Sequence, residues 1–151
     1  MLLAVGLSFS DRAAADPVTA GKMMQVIVLD RQALDIHLQF AKRQARNGDM
    51  AGARAGFISA QMQATLLNLD LARMHRENQV SLDRGRYRDR AALLRAVQHG
   101  RVASLNIQVA AMDVQALVQT PASVPKLAQL NLDIDLFNQE MDRLEQAMRE
   151  A

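Results

Sequence analysis

The stretch RNGDMAGARAGF, residues 46–57, decides the fold. It holds a helix stop, an acidic cap and a restart with two glycines inside the new helix. Asn47 and Gly48 accept left-handed dihedrals and can end the helix before them. Asp49 can cap the helix after them. Arg46 falls in the last turn of the first helix, where a cation suits the helix dipole. Stop and start share almost no spacer, so the two helices fold back as a tight antiparallel hairpin.

Upstream, Asp16 followed by Pro17 reads as a cap and a first helical residue. The stripe Ala20, Met24, Ile27, Arg31, Leu34, Leu38, Ala41, Ala45 then steps by threes and fours, with Arg31 as its one polar member. Met23, Val26, Ala33 and Phe40 add a second apolar face. Downstream, Met50, Ala53, Phe57, Ala60, Ala64, Leu67, Leu71 and Met74 form the next seam, with Gly52, Gly56 and Ala60 as a line of small side chains beside it. Each glycine costs about 0.5–1 kcal/mol relative to alanine in a helix interior, which close backbone packing can offset.

SLDRGRYRDR, residues 81–90, breaks the seam and reads as a connection. A third stripe follows: Ala91, Leu94, Gln98, Val102, Leu105, Val109, Met112, Ala116. TPASVP, residues 120–125, punctuates again, with Thr120 or Ser123 as cap and proline early in the next helix. Leu127, Leu130, Ile134, Phe137, Met141, Leu144 and Met148 complete a fourth stripe. The predicted helices span about 17–47, 50–80, 88–119 and 124–150, each roughly 40 Å long. None can bury its stripe alone. The expected fold is all-α: one domain over 16–151, an antiparallel four-helix bundle, with an open extended hairpin as the other packing.

Composition narrows the chemistry. The chain of 151 residues suffices for one core, and its 50% hydrophobic but 3% aromatic content means a core of Leu, Ile, Val, Ala and Met. No cysteine is present, which excludes disulfides and thiolate metal sites. The net charge of +2 is unevenly spread: residues 1–101 hold 15 Lys or Arg against 9 Asp or Glu, and residues 102–151 hold 3 against 7. Such asymmetry suits attraction between the halves or contact with an anionic surface. The apolar segment 1–15 begins MLLAVGLSF and is too short for a membrane span. Its first basic residue is Arg12, late for a signal peptide. A core-docked turn, an amphipathic membrane wedge and a cleaved leader all stay open for it.

A di-iron bundle wants Glu-x-x-His pairs on facing helices. The four glutamates, Glu77, Glu140, Glu145 and Glu150, supply none, and His37, His75 and His99 are scattered. No metal, haem or other cofactor is expected. A phosphoacceptor histidine needs small neighbours and a nearby cation; His37 has Lys42, and His99 has Gly100 and Arg101. A histidine phosphotransfer bundle is therefore one open alternative. No phosphate loop, dinucleotide pattern or nucleophile motif occurs, and no enzymatic activity is expected.

Arg84, Arg86, Arg88, Arg90 and Arg95 lie within 12 residues, with Tyr87 among them and Arg101 beyond. Guanidinium forks suit anionic groups, and tyrosine suits an interface. Asp83 and Asp89 offset part of this charge. The partners weighed are another protein or a second copy through helix packing, then an anionic membrane; nucleic acid ranks last.

The segment KRQARNGDMAGAR, residues 42–54, is similar to the hairpin turn of Snf7-domain proteins, the ESCRT-III membrane-remodelling family, through Gly48, Asp49, Met50, Ala53 and Arg54. GRVASLNIQVAAMD (100–113), the apolar helix 126–148 and the basic-first, acidic-last layout resemble its later helices. The resemblance implies polymerisation along hairpins and membrane contact through Leu2, Leu3, Lys42, Arg43, Arg46 and Arg54. The expected function is a non-catalytic helical interaction protein, an oligomerising scaffold or adaptor. The expected location is cytoplasmic, with peripheral membrane attachment open.

Overall fold

The computed structural model describes residues 17–151. The Asp16 cap, the segment 1–15 and the membrane candidates Leu2 and Leu3 lie outside the described residues. Four helices make up the fold: α1 (Pro17–Arg46), α2 (Met50–Asp83), α3 (Arg90–Gln119) and α4 (Val124–Glu150). There is no strand among the described residues. Each helix packs along its whole length on the next, while α1 and α4 approach each other closely only at isolated points. All four contribute to one apolar core. The fold is an up-down-up-down bundle, not an open hairpin.

The turns form as their residues dictate. Gly48 sits at φ +81°, in the left-handed region, and the Asp49 amide reaches back to the Gln44 carbonyl at 2.9 Å. Asp49 then turns forward, its carboxylate accepting from the Gly52 amide at 2.9 Å. The second connection is shorter than the sequence predicts: α2 runs on to Asp83, and Gly85 ends it at φ +67°. Asp89 caps α3 by accepting from the Ala92 amide at 3.1 Å. Ser123 stands at the start of α4 without a side-chain cap bond.

The predicted seams of α1 and α2 are the buried ones. From Ala20 to Ala45 every member of the α1 stripe is in the core except Arg31, and in α2 every member except Met50, at the turn, is buried. The second α1 face is only partly inward, for Val26 and Phe40 remain 49% and 43% exposed. Helix α3 lies in a different rotational phase from its predicted stripe. It buries Ala92, Leu93, Ala96, Gly100, Ala103, Ile107, Ala110, Val114 and Leu117. Val102, Leu105, Val109 and Met112 face outward, Met112 at 70% exposure. The reason is size: five of the nine buried residues of α3 are alanine or glycine, so the large residues at Val102, Leu105, Val109 and Met112 outweigh them in a search by bulk.

Small residues also set the α1–α2 distance. A Cβ placed on Gly56 would lie 2.8 Å from the Ala41 Cβ and 2.9 Å from the Ala41 Cα. No rotamer change relieves a clash with backbone, so the helices would have to part. Gly52 has another reason, since a Cβ there would strike the capping carboxylate of Asp49.

Arg31, the polar interruption, is one tie between α1 and α4. Its Nε donates to Asn138 Oδ1 at 2.8 Å and its Nη1 meets Asp142 Oδ1 at 2.8 Å. Gly56→Ala should lower stability by about 1–3 kcal/mol through overpacking. At Gly100 the nearest atom to an added Cβ is Leu144 Cδ1, at an ordinary 3.8 Å. Gly100→Ala should therefore raise stability by about 0.5–1 kcal/mol, the helix-propensity gain. Denaturant titration of the two variants measures both signs.

Candidate interaction surfaces

The arginine-rich connection is tied to the end of α4. The Arg88 amide donates to the Ala151 carbonyl at 2.8 Å, and its Nη2 donates to the Arg149 carbonyl at 3.0 Å. Arg95 pairs with Glu150 at 2.5 Å. Tyr87 is half-buried and lines a small cavity of about 40 Å³ with Ala20, Asn78, Ser81, Leu93 and Met148. Arg84, Arg86 and Arg90 are exposed around it. Arg101 lies a turn and a half further along α3, in a different cleft of about 260 Å³ with His75 and Arg76. The structure thus gathers Arg84 to Arg95 at one end of the bundle and sets Arg101 apart.

The opposite end holds the basic residues of the first turn. Arg43, Arg46 and Arg54 are exposed there. Lys42 instead reaches across the α1–α4 seam to Asn131 Oδ1 at 2.5 Å. Burial pushes the Lys42 ammonium below its ordinary range, with Arg46 adding to the effect and Asp35 and Asp135 opposing it.

Two features escape sequence reasoning because they depend on the register between helices. The first is a pair of outward apolar faces. On α1, Val26, Leu29, Ile36 and Phe40 recur at helical spacing, all at least 43% exposed. On α2, Ile58, Met62, Leu66 and Leu69 do the same. The Asp30–Gln63 bond, 3.1 Å, and the placement of Phe40 over Gly56 set these stripes beside one joint. On the far side of the bundle, Val102, Leu105, Val109 and Met112 of α3 accompany Leu132 and Leu136 of α4.

The second feature is a carboxyl pair on each of these faces. Asp113 of α3 faces Asp133 of α4, and Gln129 donates to Asp133 at 2.9 Å. Asp113 Oδ2 is buried without a donor, a defect that one proton shared with Asp133 removes. Burial first, then the hydrogen bond and charge of Asp133, push the Asp113 carboxyl up to about 7. Asp30 and Asp70 repeat the arrangement between α1 and α2. Asp30 is raised by burial and then by Asp70, with Gln63 partly opposing.

Of the three histidines, one has an acidic partner. His99 Nδ1 lies 2.8 Å from Glu140 Oε2, across the α3–α4 joint, and Arg143 holds the other Glu140 oxygen at 2.6 Å. His75 Nδ1 is buried without a partner, and His37 is half-buried on α1. Along the α1–α4 seam two clefts of about 800 and 640 Å³ open on either side of Arg31. Among the described residues no group of three or more acidic, histidine or cysteine side chains is placed to hold a metal ion.

The raised Asp113 carboxyl fixes a pH dependence. Its proton binds more tightly in the folded chain than in the unfolded one, where the ordinary value is 3.8. The pair's contribution is complete below about pH 4 and is lost as pH rises through about 7. Asp113→Asn should therefore raise the melting temperature at about pH 8, and the advantage should vanish below about pH 4. Thermal unfolding of both proteins across that range checks it.

No family model matches this chain, and neither a curated protein nor a solved structure matches it.

Proposed function

We propose that this chain is a non-catalytic helical interaction protein, an oligomerising scaffold or adaptor. One observation carries the reading: two opposite faces of the bundle keep large apolar side chains half in water. Soluble monomers rarely leave contiguous apolar patches beyond a few hundred Å² uncovered, and larger ones mark partner surfaces. Electrostatics favours the same conclusion, since α2 carries no charged residue from Ala55 to Leu69. That stretch of α2 carries no charge that would repel a second copy of itself.

A specific observation favours a second reading, attachment to an anionic membrane surface. Arg43, Arg46 and Arg54 stand exposed where α1 meets α2, as the resemblance of that turn to Snf7-domain proteins implies. No described helix is long and apolar enough to cross a membrane, so this contact would be peripheral.

Light scattering after size exclusion should give a mass above one chain that rises with concentration. Met62→Glu with Leu66→Glu, or Met112→Glu with Leu132→Glu, should bring it down towards one chain while leaving helix content unchanged. A single-chain mass at every concentration would sink self-association. Sedimentation with phosphatidylserine vesicles at low salt, lost in Arg43→Ala with Arg46→Ala and Arg54→Ala, would support the membrane reading in its place.

A further inference from the structure

We propose that His99 is a phosphoacceptor: its Nε2 takes a phosphoryl group from a labile donor, an acyl phosphate or a phosphoramidate, and Glu140 positions the ring. The geometry begins with the hydrogen. A carboxylate only accepts, so the 2.8 Å contact with Glu140 Oε2 places the ring hydrogen on Nδ1. In the neutral ring the lone pair is then on Nε2, the tautomer that makes that nitrogen the nucleophile. Among the described residues Nε2 has no hydrogen-bond partner, and the side chain keeps 26% of its surface open. Glu140 is itself held: only 12% of its side chain is exposed, and Arg143 fixes its second oxygen. The ring is thus oriented by a carboxylate that is anchored in turn.

The surroundings suit a phosphoryl group. Gly100 follows His99 and crowds nothing. Arg143, 58% exposed and one turn from Glu140, brings a guanidinium to the joint while it holds that carboxylate. Arg95, one turn before His99 on α3, pairs with Glu150 and adds a second guanidinium near the joint. His37 and His75 lack the carboxylate partner; His75 does share a cleft with Arg76 and Arg101, so the Glu140 contact is what sets His99 apart.

The step balances simply. With phosphoramidate, the Nε2 electron pair forms the new N–P bond, and the P–N bond to the leaving nitrogen breaks. Ammonia departs with its own three hydrogens. The ring acquires the positive charge that the leaving group loses, and Glu140 offsets it through the Nδ1 hydrogen bond, accepting that proton if it moves. Nothing is oxidised or reduced. With an acyl phosphate the P–O bond breaks instead and a carboxylate leaves.

The test uses the native chain and its own histidines as references. Phosphoramidate is added, and the site and ring nitrogen of each label are read by phosphorus NMR and peptide mapping. His99 should be labelled at Nε2 about tenfold faster than His37 or His75, a difference in barrier of about 1.4 kcal/mol. Glu140→Gln keeps a carbonyl to accept from Nδ1 but removes the charge. It should slow labelling at His99 about tenfold with the thermal transition preserved, and Glu140→Asp should restore part of the rate. His99→Gln should lose the fast label alone. Equal labelling of the three histidines, labelling of His99 at Nδ1, or an unchanged rate in Glu140→Gln overturns the proposal. The readout is independent of oligomeric mass, so its failure leaves the scaffold reading standing, and the reverse also holds.

Discussion

Everything in this bundle rests on how close α1 and α2 come at Gly56. A missing side chain on one helix meets Ala41 on the other, and one added carbon would touch the facing backbone. The same economy runs through the core, where Ala45, Ala53, Ala60, Ala64, Ala96, Ala103 and Ala110 are buried. Alanine offers little apolar area per residue. What it permits is backbone proximity, and with it many short-range dispersion contacts along helices of 27 to 34 residues. These alanines share the core with Leu, Ile, Met and Phe side chains such as Ile27, Phe57, Leu67 and Phe137. Other large residues of α2 and α3, among them Met62, Leu66, Leu105 and Met112, face out.

The α1–α4 seam shows the opposite regime. Leu34, Leu38, Ile134 and Phe137 meet there, and side chains of that size hold the helices apart. Clefts remain, and polar side chains span them: Arg31 to Asn138 and Asp142, Lys42 to Asn131. The Arg31 pair is partly in water, with Asp142 largely exposed, so its share in stability is modest, in the range of about 0–1 kcal/mol for surface pairs. The weight of the fold lies on the three alanine-lined joints, and the fourth is the joint most easily opened.

These regimes explain what the sequence disclosed. Asp49, Gly48 and Asn47 are local signals, and each acts within a few residues of its own position, so the hairpin was legible. So were the α1 and α2 seams, where Ile27, Leu34, Leu67 and Leu71 mark the core among alanines. Asp89 was equally readable as a cap but stood in a run of arginines, where it passed for charge balance. Helix α3 misled because Val102, Leu105, Val109 and Met112 make an outward stripe as apolar as its mixed inner face of alanines, Leu93, Ile107, Val114 and Leu117. The carboxyl pairs and the His99–Glu140 contact were not legible at all. Asp113 and Asp133, or His99 and Glu140, become neighbours only through the register of α3 against α4, and no local pattern encodes that register.

The register also places His99 beside the exposed apolar face of α3 and α4. Val102 lies one turn beyond His99 on α3, and Leu136 one turn before Glu140 on α4; both belong to the exposed apolar face. A phosphoryl group on Nε2 would set a charge of about −2 beside that face. Asp113 and Asp133 already lie further along the same joint, sharing a proton that high pH removes. Negative charge raises the cost of burying an apolar surface around it, because the ion must lose its water when a partner covers it. Neutral carboxyls and an unmodified histidine leave the α3–α4 face ready to be covered, whereas ionised carboxyls and a phosphorylated ring oppose it. The α1–α2 face shares the carboxyl device through Asp30 and Asp70 but has no histidine with an acidic partner. Of the two faces, only that of α3 and α4 combines both sources of charge, and that makes it the face where covering by a partner is most sensitive to conditions.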